Sequence, residues 1–318
     1  MVDIIGFGEA MLRLSPKNFE RIEFANEFDI KVGGTEVNFC IALKRLGYNT
    51  GWISKLTDNL LGKRIENEIK RWGVDTSQII WTKKYRVGIY FYERGSYPRP
   101  SKIIYDRKNS AICYIENEEI NWNYLQNAKL FHTTGITLAL SNNCFNVALE
   151  CLKFMKNLKK ITSFDINYRS KLWNIEEAKK YIEKILPFID ILFCSEQDLQ
   201  LLFGNKDIEI ICDNLLSKYD NEIIVITRRS EKSIAIDKNK KKYYGIGFKP
   251  DLVDRIGAGD AFDAGFIHGY LKNKIELGLQ YGEAMAALKF SVPGDFAIIT
   301  EEEIENCLKM EKLKGILR

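Results

Sequence analysis

The sequence is short of the residues that chelate metals or break elements, with two histidines and six prolines in 318 positions. His132 and His268 stand far apart, with no partner at metal-ligand spacing, so both are expected to be structural. The seven cysteines include no C-x-x-C pair. An odd count without that spacing fits reduced thiols in a cytoplasmic protein, with Cys40, Cys151 and Cys194 packing as small hydrophobes. No apolar run is long enough to span a bilayer, and Met1–Gly8, which carries Asp3, is too short for a signal h-region. Charge of one sign is also scarce, the formal net being +4. The local cluster Lys238–Lys242 lies between two apolar runs, as a solvated hairpin turn would. Neither nucleic acid nor a membrane is therefore expected as a partner. The P-loop pattern G-x-x-x-x-G-K-[ST] is absent. Gly6-x-Gly8 lacks the third glycine of a dinucleotide fold and runs into Glu9. Ser141 has no nucleophile-elbow setting.

What is present is alternation. Ile4–Gly8, Lys129–His132, Ile161–Asp165, Ile189–Phe193 and Ile223–Thr227 are short and almost continuously hydrophobic, as strands buried on both faces are. Between such segments lie apolar stripes at helical spacing: Ile65, Ile69 and Trp72; Ala148, Cys151, Leu152 and Met155; Ala178, Tyr181, Ile182 and Ile185. The pattern predicts a mostly parallel sheet with helices on both faces, and ligands beyond the carboxyl ends of its strands. With 46% hydrophobic residues, the chain can bury a full core. Met11–Val32, with Pro16 and Asn18 at a turn, and Val87–Tyr105 do not fit a βαβ unit. They read as a small separate sheet.

Asp254-Arg255-Ile256-Gly257-Ala258-Gly259-Asp260 runs straight into an apolar segment of helical composition. Its two glycines let backbone N–H groups approach a ligand at a helix N-terminus, where the macrodipole favours an anion. A carboxylate in the first turn beside such a cup suits a base that takes a proton from a hydroxyl attacking phosphorus. A Gly-rich turn whose Asp merely caps a helix has the same local pattern.

This segment resembles the C-terminal signature of the ribokinase-like (PfkB) sugar kinases, with Arg255 where Thr is usual. Gly33-Gly34-Thr35-Glu36-Val37-Asn38, then Leu46-Gly47, Asp58 and Gly62, resembles the other signature of that family. The resemblance covers nearly the whole chain. It implies a ribokinase-like three-layer αβα sandwich with a small β-sheet lid, formed by inserted segments at roughly 11–32 and 87–107. It further implies transfer from ATP with Mg²⁺, Asp260 as general base, and the amides of Gly257, Ala258 and Gly259 as an anion hole. Such lids often pair two subunits, so a homo-oligomer is expected.

Within the family, the 2-keto-3-deoxygluconate kinases are similar in Phe7-Gly8-Glu9, Tyr90, Tyr105-x-Arg107, Asn167-x-Arg169-x-x-Leu172-Trp173 and Pro293-Gly294-Asp295. A sugar acid would suit the arginines, whose planar fork holds a carboxylate well. The resemblance makes Gly34, Tyr90, Tyr105, Arg107, Arg169 and Asp295 substrate contacts. Asn167, Arg169, Ser195, Thr227 and Ser230, with Gly257–Gly259, would lie along the nucleotide. Asp198 and Asp254 are the candidates for Mg²⁺. Two departures stand out: Ser195-Glu196-Gln197-Asp198 where many members carry Asn-x-x-Glu, and Arg228–Ser233, a loop commonly bearing glycines and here without any. A kinase for fructose, ribose or a related sugar, and a sugar-acid-binding protein weak in catalysis, remain as alternatives.

Overall fold

The computed structural model describes residues 2–228 and 231–316. Among them run thirteen strands, numbered along the chain. Nine form one sheet in the order β13-β12-β11-β10-β9-β8-β1-β4-β5. These are β1 (Ile4–Phe7), β4 (Thr50–Thr57), β5 (Ile79–Thr82), β8 (Leu130–Thr134), β9 (Ile161–Asp165), β10 (Ile191–Ser195), β11 (Ile223–Thr227), β12 (Ile234–Asp237) and β13 (Lys242–Tyr244). All pairings from β5 to β11 are parallel, and β12 and β13 add an antiparallel hairpin at the edge. Its turn carries the Lys238–Lys242 cluster.

Helices cover both faces. One layer holds α1 (Thr35–Arg45), α2 (Leu60–Arg71), α9 (Ala258–Leu271), α10 (Ile275–Phe290) and α11 (Glu301–Ile316). The other holds α5 (Asn142–Asn157), α6 (Ile175–Ile185), α7 (Glu196–Phe203) and α8 (Ile208–Tyr219), with the short α3 (Trp122–Gln126) and α4 (Gly135–Leu138). Each layer closes its own hydrophobic core against one side of the sheet. Local chemistry starts several helices. The Ser141 hydroxyl caps α5 by accepting the Cys144 amide at 3.1 Å, and Asn174 with Glu177 makes a capping box on α6. α9 and α10 meet backbone to backbone, since a Cβ on Gly269 would lie 2.3 Å from the Gly278 nitrogen. The helix that carries Asp260 is thus packed closely against its neighbour.

The two segments outside the alternation form a second sheet in the order β3-β2-β6-β7, from β2 (Met11–Pro16), β3 (Phe28–Gly33), β6 (Ile89–Glu93) and β7 (Lys102–Asp106). Two features of the main sheet differ from the sequence reading. β4 carries no continuous apolar run, yet every one of its residues is buried, and β5 is too short to stand out from the sequence. Lys55 is accommodated by Glu119 at 2.6 Å and the Tyr114 carbonyl at 3.0 Å. β10 begins two residues late, because Leu186–Phe188 completes a 3₁₀ turn around Pro187.

Candidate active site

The carboxyl ends of β9, β10 and β11 place Asp165, Ser195 and Thr227 on successive parallel strands, with Ser195 directly opposite Thr227. Ser195 caps α7 through the Asp198 amide at 3.0 Å. Asn167, buried and at φ 40, follows β9 and donates its amide to Asp165 at 3.2 Å. Arg228 pairs with Glu196 at 3.3 Å and also with Glu231. Ser230 lies outside the described residues.

At one end of this row stands the start of α9. Gly257 takes the left-handed conformation, φ 84, and a Cβ there would sit 2.0 Å from the Asp295 carbonyl oxygen. Only glycine fits that turn. Gly259 differs, because a Cβ on it would meet nothing within 4 Å. Open space therefore lies beside the first turn of α9, in which the Ala258 amide donates to the Arg255 carbonyl at 3.4 Å. Asp260, in that same turn, is 7% exposed. Its Oδ2 accepts a hydrogen bond from Asn38 Nδ2 at 2.6 Å. Burial pushes its carboxyl up to about 7; the Asn38 bond opposes the rise, Glu36 adds to it, and Arg169 opposes it. A carboxylate of that kind can accept a proton at neutral pH and give it up again.

Further carboxylates, buried or half-buried, gather nearby. Asp165 is pushed up to about 8 by burial and then by Asp260 and Asp198, while burial and Asp165 raise Asp263 well above the usual range. Glu36, in the first turn of α1, accepts from the Thr134 amide (3.0 Å) and from the Thr134 and Thr137 hydroxyls (2.8 and 2.7 Å). It locks α1 to the end of β8.

The second sheet closes over this region from the other side. Tyr90 is buried, and its hydroxyl donates to Asp295 Oδ2. Its ring centre lies 6.0 Å from that of half-buried Tyr105, and the Arg107 guanidinium is 5.6 Å from the Tyr105 ring. Gly34 lies where a Cβ would stand 2.0 Å from the Glu9 carbonyl oxygen. Gly34, Tyr90, Tyr105, Arg107 and Asp295 are thus brought together at the junction of the two sheets. Arg169 is exposed on the Asp165–Asp260 side, its Nη1 donating to the Tyr168 carbonyl at 3.0 Å.

Two expected site residues are already engaged. Arg107 donates its Nε to Glu9 Oε2 at 2.7 Å, and Ser110 takes the other oxygen of Glu9. Asp254, a candidate for Mg²⁺, already holds Arg13 (2.6 Å), the Ile256 amide (3.1 Å) and the Gly294 amide (3.0 Å). With a guanidinium on its carboxylate, it is a poor cation ligand. Among the described residues no group of three or more His, Cys, Asp or Glu is placed to hold a metal. No helix among them is long and apolar enough to cross a membrane.

Glu9, Arg13, Asn38, Glu36 and Asp165 were not singled out from the sequence as site residues. Glu9, Glu36 and Asn38 lay inside the quoted signatures, and Asp165 closed a correctly placed strand. Arg13 left no local signal.

A glycine turn at a helix start, a buried carboxylate beside it and a second sheet facing both form an arrangement suited to a small-molecule phosphotransferase. The chain belongs to the pfkB family of carbohydrate kinases, whose model matches residues 1–301. It is 36% identical to the 2-dehydro-3-deoxygalactonokinase of Haloferax volcanii, over 96% of both chains. It is 28% identical to the 5-dehydro-2-deoxygluconokinase of Bacillus subtilis, over 97% of this chain and 96% of that one. Among solved structures, the 2-dehydro-3-deoxygluconokinase of Thermotoga maritima superposes with a TM-score of 0.91 at 31% identity, covering 97% of this chain and 98% of the other.

Proposed function

We propose that the protein is a sugar-acid kinase, transferring the γ-phosphoryl group of ATP to the primary hydroxyl of 2-dehydro-3-deoxygluconate (2-keto-3-deoxygluconate). The observation that carries the reading is the pairing of Asp260 with the open first turn of α9. Asp260 accepts the hydroxyl proton as that oxygen attacks the γ-phosphorus. The bond to the bridging oxygen breaks and ADP leaves with its electron pair. The Gly257, Ala258 and Gly259 amides face the charge spread over the transferring group, where positioned donors are worth most. The second sheet acts as a lid that excludes water competing for the phosphoryl group.

Magnesium, carried by the nucleotide, would supply charge neutralisation on its phosphates. Such an ion usually needs one or two carboxylates besides phosphate and water. Asp165 and Asp198, whose mutual repulsion a cation would relieve, fit that demand. Asn167, Ser195 and Thr227 line the edge along which the nucleotide would lie.

The acid is supported by Arg107 at the junction of the two sheets, by Arg169 on the Asp165–Asp260 side, and by the substrates named for the relatives. One observation favours a neutral keto sugar instead, namely that Glu9 already balances the charge of Arg107. A second copy covering the lid is supported by Ile30 and Ile104, 44% and 51% exposed on its edge strands. Product analysis tests the reading. Incubation with MgATP and 2-keto-3-deoxygluconate should give a phosphate ester on the terminal carbon by phosphorus NMR, and no ester would overturn it.

A further inference from the structure

Arg13 sits on β2, where strand alternation would let a polar side chain reach water, yet it is only 3% exposed. Its Nη2 donates to Asp254 at 2.6 Å and its Nη1 to Asp295 at 2.7 Å. Nε donates to Ser15 at 3.0 Å, and the guanidinium carbon lies 4.3 Å from the centre of the Tyr92 ring. One side chain of the second sheet therefore fastens two carboxylates from two loops of the main body.

Both carboxylates shape the site. Asp254 gathers the amides of Ile256 and Gly294, and so sets the turn immediately ahead of Gly257. The Asp295 carbonyl packs against Gly257, and its carboxylate accepts from Tyr90 on β6. Two buried carboxylates this close repel one another and lose hydration. A planar guanidinium can bond both at once in fixed directions, whereas an ammonium is a point charge without that fork.

We propose that Arg13 is a positioning residue for phosphoryl transfer: by holding Asp254 and Asp295 together, it sets the α9 anion hole relative to the sheet that faces the sugar. The inference rests on the reading that the Gly257–Gly259 amides receive the transferring group. Arg13 touches none of the reacting atoms. Its loss misplaces the amides with respect to the sugar hydroxyl, so the damage falls on turnover.

The test compares Arg13→Lys, which keeps the charge but not the fork, with Asp254→Asn, which keeps the shape but not the charge. kcat, the KM for the sugar and Tm are measured with whichever sugar the wild-type enzyme phosphorylates. A misplacement of about 1 Å costs on the order of 100-fold, so kcat of folded Arg13→Lys should fall by about 10- to 100-fold with KM largely unchanged. Asp254→Asn should fall comparably, and the double variant no further than the worse single, because the two residues act as one unit. An unimpaired kcat, or a loss confined to Tm or KM, overturns the inference. If Arg13→Lys does not fold, Asp254→Asn alone decides by the same outcomes. An Asp260→Asn control keeps the two ideas apart. Full activity there overturns the reading of the site, whereas an inactive control beside an unimpaired Arg13→Lys enzyme overturns only the role given to Arg13.

Discussion

Asn38 and Asp260, 222 residues apart in sequence, meet at 2.6 Å at the adjoining N-terminal turns of α1 and α9. The Asn38 amide is the donor that holds the Asp260 carboxylate in place and opposes the rise caused by its burial. Replacing Asn38 by Ala removes that opposition. The acidic limb of the kcat/KM profile, expected near pH 7 for the native enzyme, should move to higher pH. A limb that stays in place would detach Asn38 from the base.

Asp260→Asn removes the proton acceptor. General-base help is typically about 10²–10⁴-fold, so turnover should drop by that order while sugar binding persists. Stability should move the opposite way. The folded-state value of Asp260, about 7, lies above its ordinary 3.8. Folding therefore favours the protonated form, and the contribution present below pH 4 is lost as pH rises towards 7. At pH 8 the Asn variant escapes the cost of burying a carboxylate and should melt higher than the native protein, an advantage that vanishes near pH 4. Thermal melts at the two pH values check the sign.

The two glycines of the anion cup should separate stability from activity. Gly257→Ala forces a side chain into the left-handed region and against the Asp295 carbonyl, and should destabilise by about 2 kcal/mol or more. Gly259→Ala meets no protein atom and should leave Tm unchanged or slightly higher. Its methyl group instead occupies the space over the cup. Turnover should fall in both, and a fully active Gly259→Ala enzyme would move the phosphoryl group elsewhere.

Arg107 and Glu9 test the substrate end. Arg107→Met leaves Glu9 buried without its cation and should cost about 3–5 kcal/mol. Adding Glu9→Gln should recover most of that stability without restoring sugar binding, if Arg107 also serves the substrate. Recovery of both Tm and KM in the double variant would reduce the pair to a structural ion pair.

How much of this was legible varies with the kind of signal. Ile223–Thr227 was placed to the residue because a strand covered on both faces reads as a nearly continuous apolar run, and Ile161–Asp165 because its short β-rich segment precedes a turn. Thr50–Thr57 escaped because its buried polar groups, Lys55 with Glu119 and Thr57 with the Tyr85 carbonyl, are satisfied only in three dimensions. The glycine turn ahead of Asp260 was visible because its glycines and aspartate are neighbours in sequence. Arg13 was not, because its partners lie 241 and 282 residues away and a lone arginine in an alternating strand looks solvated. Arg107 was named from the sequence as a substrate contact, while its partner Glu9 was quoted only as part of a motif.

The most direct measurement is ADP release from MgATP with 2-keto-3-deoxygluconate, fructose and ribose side by side. The account predicts a kcat/KM for the sugar acid well above those for the two neutral sugars. Equal or better turnover of fructose or ribose would contradict it, leaving the Asp260 mechanism without the acid.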